Sequence, residues 1–285
     1  MDQRIVDLYD EFTHAPLDRR VFMERLVKLT GSVAAAEASL ALLAPNYALA
    51  AIVPEDDKRI DIATGTDTAS GLKTYTAAPK DAKLAVPNAL VIVIHENRGL
   101  NPHIQDIARR LAVAGFTAVA VDMLTPLGGT PADEDKARDM FPKLDLGKGV
   151  GSLVAMIAAR KKQNPDLKVG AIGFCWGGGI VNALATAAPN LDAGVVFYGV
   201  SPPPANAANI KAKLQLHYAG LDTRINDTVP AYEEALKKAR VRYEIFMYDK
   251  VNHAFNNDTG KERYAEAAAK LAWSRTTDFF RANLK

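Results

Sequence analysis

Three residues whose types suit acyl transfer follow one another along the chain in the order Cys175, Asp222 and His253. A cysteine thiolate can attack a carbonyl carbon, and an imidazole that titrates near neutrality can take the thiol proton and later activate water. A carboxylate beside the imidazole would fix its tautomer and stabilise the imidazolium. We therefore predict a catalytic triad with Cys175 as nucleophile, His253 as base and Asp222 as the residue that orients His253.

The cysteine lies in a glycine-rich turn between an apolar strand and a helix. Gly173 and Gly177 flank Cys175 in the pattern G-x-C-x-G, which is the nucleophile elbow with cysteine in place of serine. Glycines let the strand and the helix approach each other, and a helix N-terminus favours a thiolate. The elbow and the residue order are typical of α/β-hydrolases. A buried structural cysteine in a glycine-rich turn is the alternative interpretation.

A second polar group, His95-Glu96-Asn97-Arg98-Gly99, follows a continuous apolar run. Ligands of parallel sheets bind at the carboxyl ends of the strands, so this group should lie beside the elbow. We predict an oxyanion hole formed by the backbone N–H groups of Asn97 and Trp176. Glu96 is predicted to lie beside the thiol, where a carboxylate needs a partner, and an ion pair with Arg98 or a neighbouring arginine is its alternative role.

Strand and helix patterns that alternate along the chain must position these residues. The predicted strands are 59–63, 72–77, 89–94, 117–123, 168–175, 193–198, 213–218 and 241–248, and the predicted helices between and after them include 102–114, 153–159, 232–239 and 264–280. This order predicts a mostly parallel central sheet covered by helices on both faces. Residues 125–148 are predicted to be a long loop that could serve as a lid or substrate loop.

The N-terminal part has a different pattern. Residues 1–56 are predicted to be a helical extension and residues 57–285 an α/β-hydrolase domain. Arg19-Arg20, an alanine-rich stretch and Ala48-Leu49-Ala50 also resemble a twin-arginine export signal with a cleavage site, although acidic residues precede the arginines. We predict a cytoplasmic protein, with periplasmic export as the alternative.

Taken together, these motifs resemble the dienelactone hydrolase family, the carboxymethylenebutenolidases, over residues 57–283. The segments that carry the resemblance are Gly173–Gly179, His95–Gly99, Asp222 and Asn252–Phe255. The resemblance implies hydrolysis of a carboxylic ester or lactone through a Cys-His-Asp triad and a thioester acyl-enzyme. It also implies that Glu96 contacts the resting thiol and helps to form the thiolate when substrate binds.

The sequence departs from that family where two arginines would hold a substrate carboxylate. The corresponding positions lie near Pro126 and at Asn256 and Asn257, and neither carries an arginine. The substrate could therefore be an uncharged lactone or ester.

Other residues could bind an acidic substrate instead. Arg98, Arg224 and Tyr198 each lie at or just after the end of a predicted strand, and they are the candidate substrate-binding residues. Arg224 is favoured for a carboxylate because it follows Asp222 by two residues, and an ion pair with Asp227 is its alternative role.

Composition excludes several other functions. The net charge is +2 with no basic block, which argues against partners such as nucleic acid or an anionic membrane, and no uncharged apolar run is long enough to span a membrane. The single cysteine excludes an internal disulfide. No His, Cys or Asp cluster has the sequence spacing of metal ligands, so no metal or cofactor is predicted. The predicted partner is a small-molecule lactone or ester, and the sequence predicts no particular oligomeric state.

A competing function is a non-catalytic, redox-sensing protein in which Cys175 is oxidised. No second cysteine is present to resolve such an oxidation within the chain. Among the other histidines, His217 is predicted to be buried in a strand, and His14 and His103 are predicted to lie at the surface.

Overall fold

The computed structural model describes residues 1–15, 17–46 and 52–285. Its centre is one eight-stranded sheet with the strand order β1-β2-β4-β3-β5-β6-β7-β8. The strands are β1 Ile60–Thr66, β2 Lys73–Pro79, β3 Ala89–Ile94, β4 Thr117–Asp122, β5 Lys168–Phe174, β6 Ala193–Phe197, β7 Lys213–Ala219 and β8 Tyr243–Tyr248. The pairs β1–β2 and β2–β4 are antiparallel, and every pair from β4 to β8 is parallel.

The helices alternate with the strands along most of the chain. They are α1 Gln3–His14, α2 Arg19–Thr30, α3 Val33–Leu43, α4 Pro102–Val113, α5 Glu134–Met140, α6 Leu146–Gln163, α7 Trp176–Ala187, α8 Thr223–Asn226, α9 Val229–Ala239 and α10 Glu266–Asn283. The predicted mostly parallel sheet with helices on both faces, an α/β-hydrolase fold, is confirmed.

Two apolar cores lie on opposite faces of the sheet. Side chains of α4 and α10 pack with the sheet in one core, and side chains of α6, α7 and α9 pack with it in the other. The central strand β3 is buried along its whole length, as its continuous run of apolar residues predicts. Burial on both faces holds the strand ends in fixed positions, and the candidate site lies at these carboxyl ends.

The N-terminal helices α1 to α3 form a third, smaller apolar cluster. Helix α1 begins at the N-cap Asp2 and buries residues such as Tyr9 and Phe12, while Arg138 of α5 lies over the Phe12 ring at 4.3 Å. In the described part of the chain, no single helix is long and apolar enough to cross a membrane; only α2 and α3 taken together pass that test, and they are bent by 109°. The predicted cleavage site at Ala48–Ala50 lies outside the described residues.

The prediction of a long loop over 125–148 is wrong. This segment contains α5, two short 3-10 turns and the start of α6. Asp133 caps α5 by accepting from the N–H groups of Asp135 and Lys136, and Asp145 caps α6 by accepting from Lys148. Side-chain caps of this kind satisfy N–H groups that have no partner within the helix, which stabilises short helices that propensity alone does not.

Candidate active site

Cys175 lies in a strained turn between β5 and α7, with φ 54° and ψ −117°. A Cβ on Gly173 would lie 2.1 Å from the carbonyl oxygen of Gly177, and a Cβ on Gly177 would lie 2.4 Å from the carbonyl oxygen of His95. Both neighbours are backbone atoms, so the turn forms only because these positions carry no side chain. The expected close approach of strand and helix is therefore present.

The fold brings Cys175, Asp222 and His253 together from three different strand ends. Asp222 follows β7, His253 follows β8, and the Nδ1 of His253 lies 2.5 Å from the Oδ2 of Asp222. A ring nitrogen of His253 lies within 4.8 Å of the Cys175 Sγ. All three side chains are buried, and within the described residues the His253 Nε2 has no hydrogen-bond partner. A carboxylate only accepts hydrogen bonds, so Nδ1 carries the proton and Nε2 is left for the thiol or substrate.

Electrostatics favour an ion pair between the Cys175 thiol and His253. Burial acts to raise the pKa of Cys175, but His14 and His253 outweigh burial and lower that pKa to about 6. Burial acts to lower the pKa of His253, but Asp10, the Cys175 thiolate and Asp222 raise it well above the ordinary value. At neutral pH the site therefore favours a thiolate beside an imidazolium.

The two residues of the predicted oxyanion hole lie on either side of the elbow. Trp176 is the first residue of α7, where a backbone N–H has no acceptor within the helix. Asn97 follows β3 by three residues, and its side-chain amide donates a 2.6 Å hydrogen bond to the carbonyl of Thr13 in α1. The N-terminal helix thus contacts the loop that would provide half of the hole.

Glu96 is held by polar partners rather than by an arginine. One carboxylate oxygen accepts a 2.8 Å hydrogen bond from the Asn257 amide, and the other lies 3.4 Å from the Tyr198 hydroxyl. Asn257 occupies a position where the resemblance would place an arginine. Glu96 and Cys175 line the same small recess, but the side chain hydrogen-bonded to the thiol is His14.

The two candidate arginines have different surroundings. Arg98 is buried, and its guanidinium lies 3.1 Å from Asp135. Its ion-pair partner is therefore Asp135, and the alternative ion pair between Glu96 and Arg98 is not formed. Arg224 is about half exposed, and it lies 3.8 Å from Asp10 of α1 rather than beside Asp227. Of the two, only Arg224 lines the cavity of about 650 Å³ that opens onto Cys175.

A cavity of about 650 Å³ opens onto the thiol. Its polar lining includes Cys175, His253, His14, Asn97 and Arg224, and Trp176 lies among them. The remaining lining is largely apolar and includes residues Leu17, Phe141, Leu144, Leu146, Val200 and Ile225. This volume suits a small organic molecule bound with its carbonyl above Cys175.

Two histidines that were predicted to lie at the surface are buried or nearly so. His103 is fully buried, with its ring 3.1 Å from Asp258. His14 is the last residue of α1, and its Nε2 lies 3.1 Å from the Cys175 Sγ. Neither position carries a local signal, because long-range packing alone brings each histidine to its partner.

The site also contains atoms of the kinds that bind metals. His14, Cys175 and His253 each offer a ligand atom, and these atoms lie within 4.8 Å of one another; Asp10, Asp222 and His253 form a second such set. The fold assembles these sets from distant segments, which sequence spacing does not reveal. In this structure the same atoms face one another: the His14 Nε2 lies 3.1 Å from the Cys175 Sγ, and the His253 Nδ1 lies 2.5 Å from Asp222.

Comparison with known proteins gives the family of this chain. The dienelactone hydrolase family profile matches residues 72–284. A carboxymethylenebutenolidase homologue from Saccharolobus solfataricus is 31% identical over 249 residues, covering 74% of this chain and 93% of its own; one from Salmonella typhi is 34% identical over 233 residues, covering 73% and 82%. A dienelactone hydrolase structure from Klebsiella pneumoniae superposes with a TM-score of 0.68 at 29% identity, covering 78% of this chain and 98% of that one. The chain therefore belongs to the dienelactone hydrolase family of the α/β-hydrolase superfamily.

Proposed function

We propose that this chain hydrolyses a carboxylic ester or lactone through a thioester on Cys175, with His253 as acid and base and Asp222 as its orienting carboxylate. Membership of the dienelactone hydrolase family makes the chain a hydrolase of esters or lactones. The observation that carries the finer assignment is the buried His253–Asp222 pair beside a cysteine in a nucleophile elbow.

The proposed reaction has two halves. In acylation the Cys175 thiolate attacks the substrate carbonyl, and the oxyanion is held by the N–H groups of Asn97 and Trp176. The His253 imidazolium protonates the leaving alkoxide, which yields the alcohol and a thioester. In deacylation neutral His253 takes a proton from water, the hydroxide attacks the thioester, and the thiolate departs. The carboxylic acid is released and the imidazolium is restored.

The cavity indicates the class of substrate. Its largely apolar wall and volume of about 650 Å³ fit a small lactone or ester with a hydrophobic body. Arg224, on the cavity wall, is the proposed contact for a polar or acidic substituent. Tyr198 also lines the cavity, and Arg98, engaged by Asp135, is the weaker candidate.

We also propose that the protein acts with its N-terminal helices in place, as a cytoplasmic enzyme. The support is the contact of α1 with the site, since cleavage near residue 50 would remove that helix. Fractionation of cells followed by N-terminal sequencing tests this proposal. Material that lacks α1 and is recovered from the periplasm would overturn it.

The experiment for the proposed function uses the single thiol of the chain. Iodoacetamide should abolish hydrolysis of an activated ester, with loss of activity in proportion to alkylation of Cys175, and bound substrate should protect the thiol. Cys175→Ala should be inactive and keep its fold. Full turnover by alkylated protein would contradict the covalent mechanism. If no ester or lactone is turned over and peroxide oxidises Cys175 reversibly, the redox-sensing alternative is favoured.

A further inference from the structure

Two histidines, each beside an aspartate, converge on one thiol in this site. The first is the His253–Asp222 pair of the main domain. The second comes from α1, where the Nε2 of His14 lies 3.1 Å from the Cys175 Sγ and the Nδ1 lies 3.4 Å from a carboxylate oxygen of Asp10. The family profile begins at residue 72, so this second pair lies outside the part of the chain that the family shares.

The hydrogen bonds of His14 fix which nitrogen faces the sulfur. Its Nδ1 lies 2.8 Å from the backbone carbonyl oxygen of Asp10, which can only accept a hydrogen bond, so Nδ1 carries a proton. The Thr13 hydroxyl already donates to the same carbonyl, so its oxygen can also accept from His14. The Nε2 of His14 therefore takes the thiol proton when the ring is neutral, and it donates to the thiolate once the ring is an imidazolium.

His14 is held in place by contacts on several sides. The Asn97 amide donates to the carbonyl of Thr13, which fixes the end of α1 against the predicted oxyanion loop. The ring of His14 packs edge-on against the ring of His253, with centroids 4.5 Å apart. Asp10, which backs His14, is itself 3.8 Å from Arg224. A side chain anchored in this way is part of the site rather than a loose covering.

The reaction requires stabilisation of the thiolate and proton transfer at the substrate in the same steps, and one histidine cannot do both at once. The thiolate must be stabilised when it attacks and again when it departs. His253 must turn to the leaving alkoxide and then to water at those same moments. The carboxylates of Asp10 and Asp222 lie beside the two rings, where they would balance two positive charges. Burial acts to raise the pKa of Asp10, but His253, His14, Arg263 and Arg224 outweigh burial and lower that pKa.

We propose that His14, backed by Asp10, is a further catalytic residue: its imidazolium stabilises the Cys175 thiolate when the sulfur attacks and again when it departs, and His253 is left to move protons at the substrate. This inference rests on the proposed function. On entering the cycle, His14 takes the thiol proton and keeps it. In acylation the sulfur–carbon bond forms, the carbon–oxygen bond of the ester breaks, and His253 gives its proton to the alkoxide. In deacylation water gives a proton to His253, its oxygen forms a bond to the acyl carbon, and the carbon–sulfur bond breaks; the sulfur leaves as a thiolate that accepts a hydrogen bond from His14.

The test follows ionisation of the single thiol in the full-length protein. Thiolate absorbance at 240 nm and the rate of iodoacetamide alkylation are recorded against pH for wild type, His14→Gln and the control Arg25→Gln. Chelator is present throughout, because the same side chains could bind a trace metal. Glutamine can still reach the sulfur but cannot become a cation. We therefore expect the pKa of Cys175 in His14→Gln to rise by about one unit or more, which is roughly a tenfold loss of thiolate at pH 5.

Rapid-quench kinetics with an activated ester give the second readout. We expect His14→Gln to slow acylation by about tenfold or more at pH 5, in proportion to its lost thiolate, and to slow deacylation as well because the leaving sulfur loses its partner. Arg25 pairs with Glu11 on the exposed side of the extension, so Arg25→Gln should match wild type in both readouts. A wild-type titration curve and wild-type acylation rate in folded His14→Gln would overturn the assignment.

A measurement on the wild-type protein does not depend on whether the His14→Gln variant folds. Histidine ¹⁵N spectra at pH 7 should show His14 as an imidazolium in the free enzyme and as the neutral Nδ1–H form after alkylation of Cys175. A neutral His14 before alkylation would refute the proposal. The proposed function can fail separately: activity in Cys175→Ala removes the triad mechanism, whereas an inactive Cys175→Ala with an unaffected His14→Gln removes only the role of His14.

Discussion

Replacing Asp222 by asparagine tests the triad because the two oxygens of this carboxylate have different partners. Oδ2 accepts from the His253 Nδ1, and Oδ1 accepts from the backbone N–H of Ile225 at 3.3 Å. An asparagine has only one side-chain oxygen. If that oxygen keeps the bond to Ile225, the amide NH₂ faces His253, and the ring must place its proton on Nε2. If the oxygen instead faces His253, the NH₂ group opposes the N–H of Ile225.

The first arrangement leaves His253 in the wrong tautomer for either proton transfer. By analogy with the same change in serine proteases, we expect kcat to fall on the order of 10³- to 10⁴-fold, which is roughly 4 to 5.5 kcal/mol of transition-state stabilisation. Asp227→Asn makes the same chemical change on an exposed residue nearby and should stay within about twofold of wild type.

The assay is steady-state hydrolysis of an activated ester, together with the thermal midpoint of each variant. A folded Asp222→Asn enzyme within a few-fold of the wild-type rate would refute the reasoning, since it would show that another group orients His253.

Four further expectations follow from the same geometry. The pKa of Cys175 is about 6, so kcat/KM should fall about tenfold for each pH unit below 6. At higher pH kcat/KM should stay constant as long as His253, whose pKa is raised, remains protonated. A value of kcat/KM that is independent of pH between 4 and 7 would contradict this prediction. Gly177→Ala should lower the free energy of unfolding by about 2 to 3 kcal/mol, because the new Cβ would meet backbone oxygens. The control Gly151→Ala has open space around it in α6 and should raise the free energy of unfolding by about 0.5 to 1 kcal/mol. Equal melting temperatures for the two variants would exclude the close approach of strand and helix at the elbow. Glu96→Gln should slow acylation without changing deacylation, and an unchanged acylation rate would make Glu96 purely structural. Arg224→Ala should reduce the preference for a carboxylate-bearing lactone over its methyl ester by roughly fivefold, since Arg224 is half exposed and near Asp10; an unchanged ratio would indicate a site built for an uncharged substrate.

Local patterns were enough to predict the elbow and the strands that position Cys175, Asp222 and His253. The sequence Gly173-Phe174-Cys175-Trp176-Gly177 permits one backbone path, because side chains at the two glycines would collide with main-chain atoms. Strand β3 was predictable for a similar reason, since all of its residues are apolar and all are buried. Each of these features depends on residues that are neighbours in sequence.

The features that the sequence did not reveal depend on packing between distant segments. Helix α6 begins in a stretch that contains Gly147, Gly149 and Gly151, where low helix propensity hides a helix stabilised by its cap and by burial of Leu153. His14 contacts a residue 161 positions away, and that contact exists only because α1 docks on the domain. The polar partner of Glu96 is likewise a long-range contact, supplied by Asn257 in the loop after β8.

Intact-protein mass spectrometry during turnover tests the central claim most directly. A slowly deacylating ester is mixed with enzyme, quenched in acid and digested, so that a thioester at Cys175 survives for detection. We predict one acyl group per chain, located on the peptide that contains Cys175, formed and lost at rates that account for kcat and absent in Cys175→Ala. Sustained turnover with no adduct on that peptide, or with the acyl group on another residue, would contradict the mechanism.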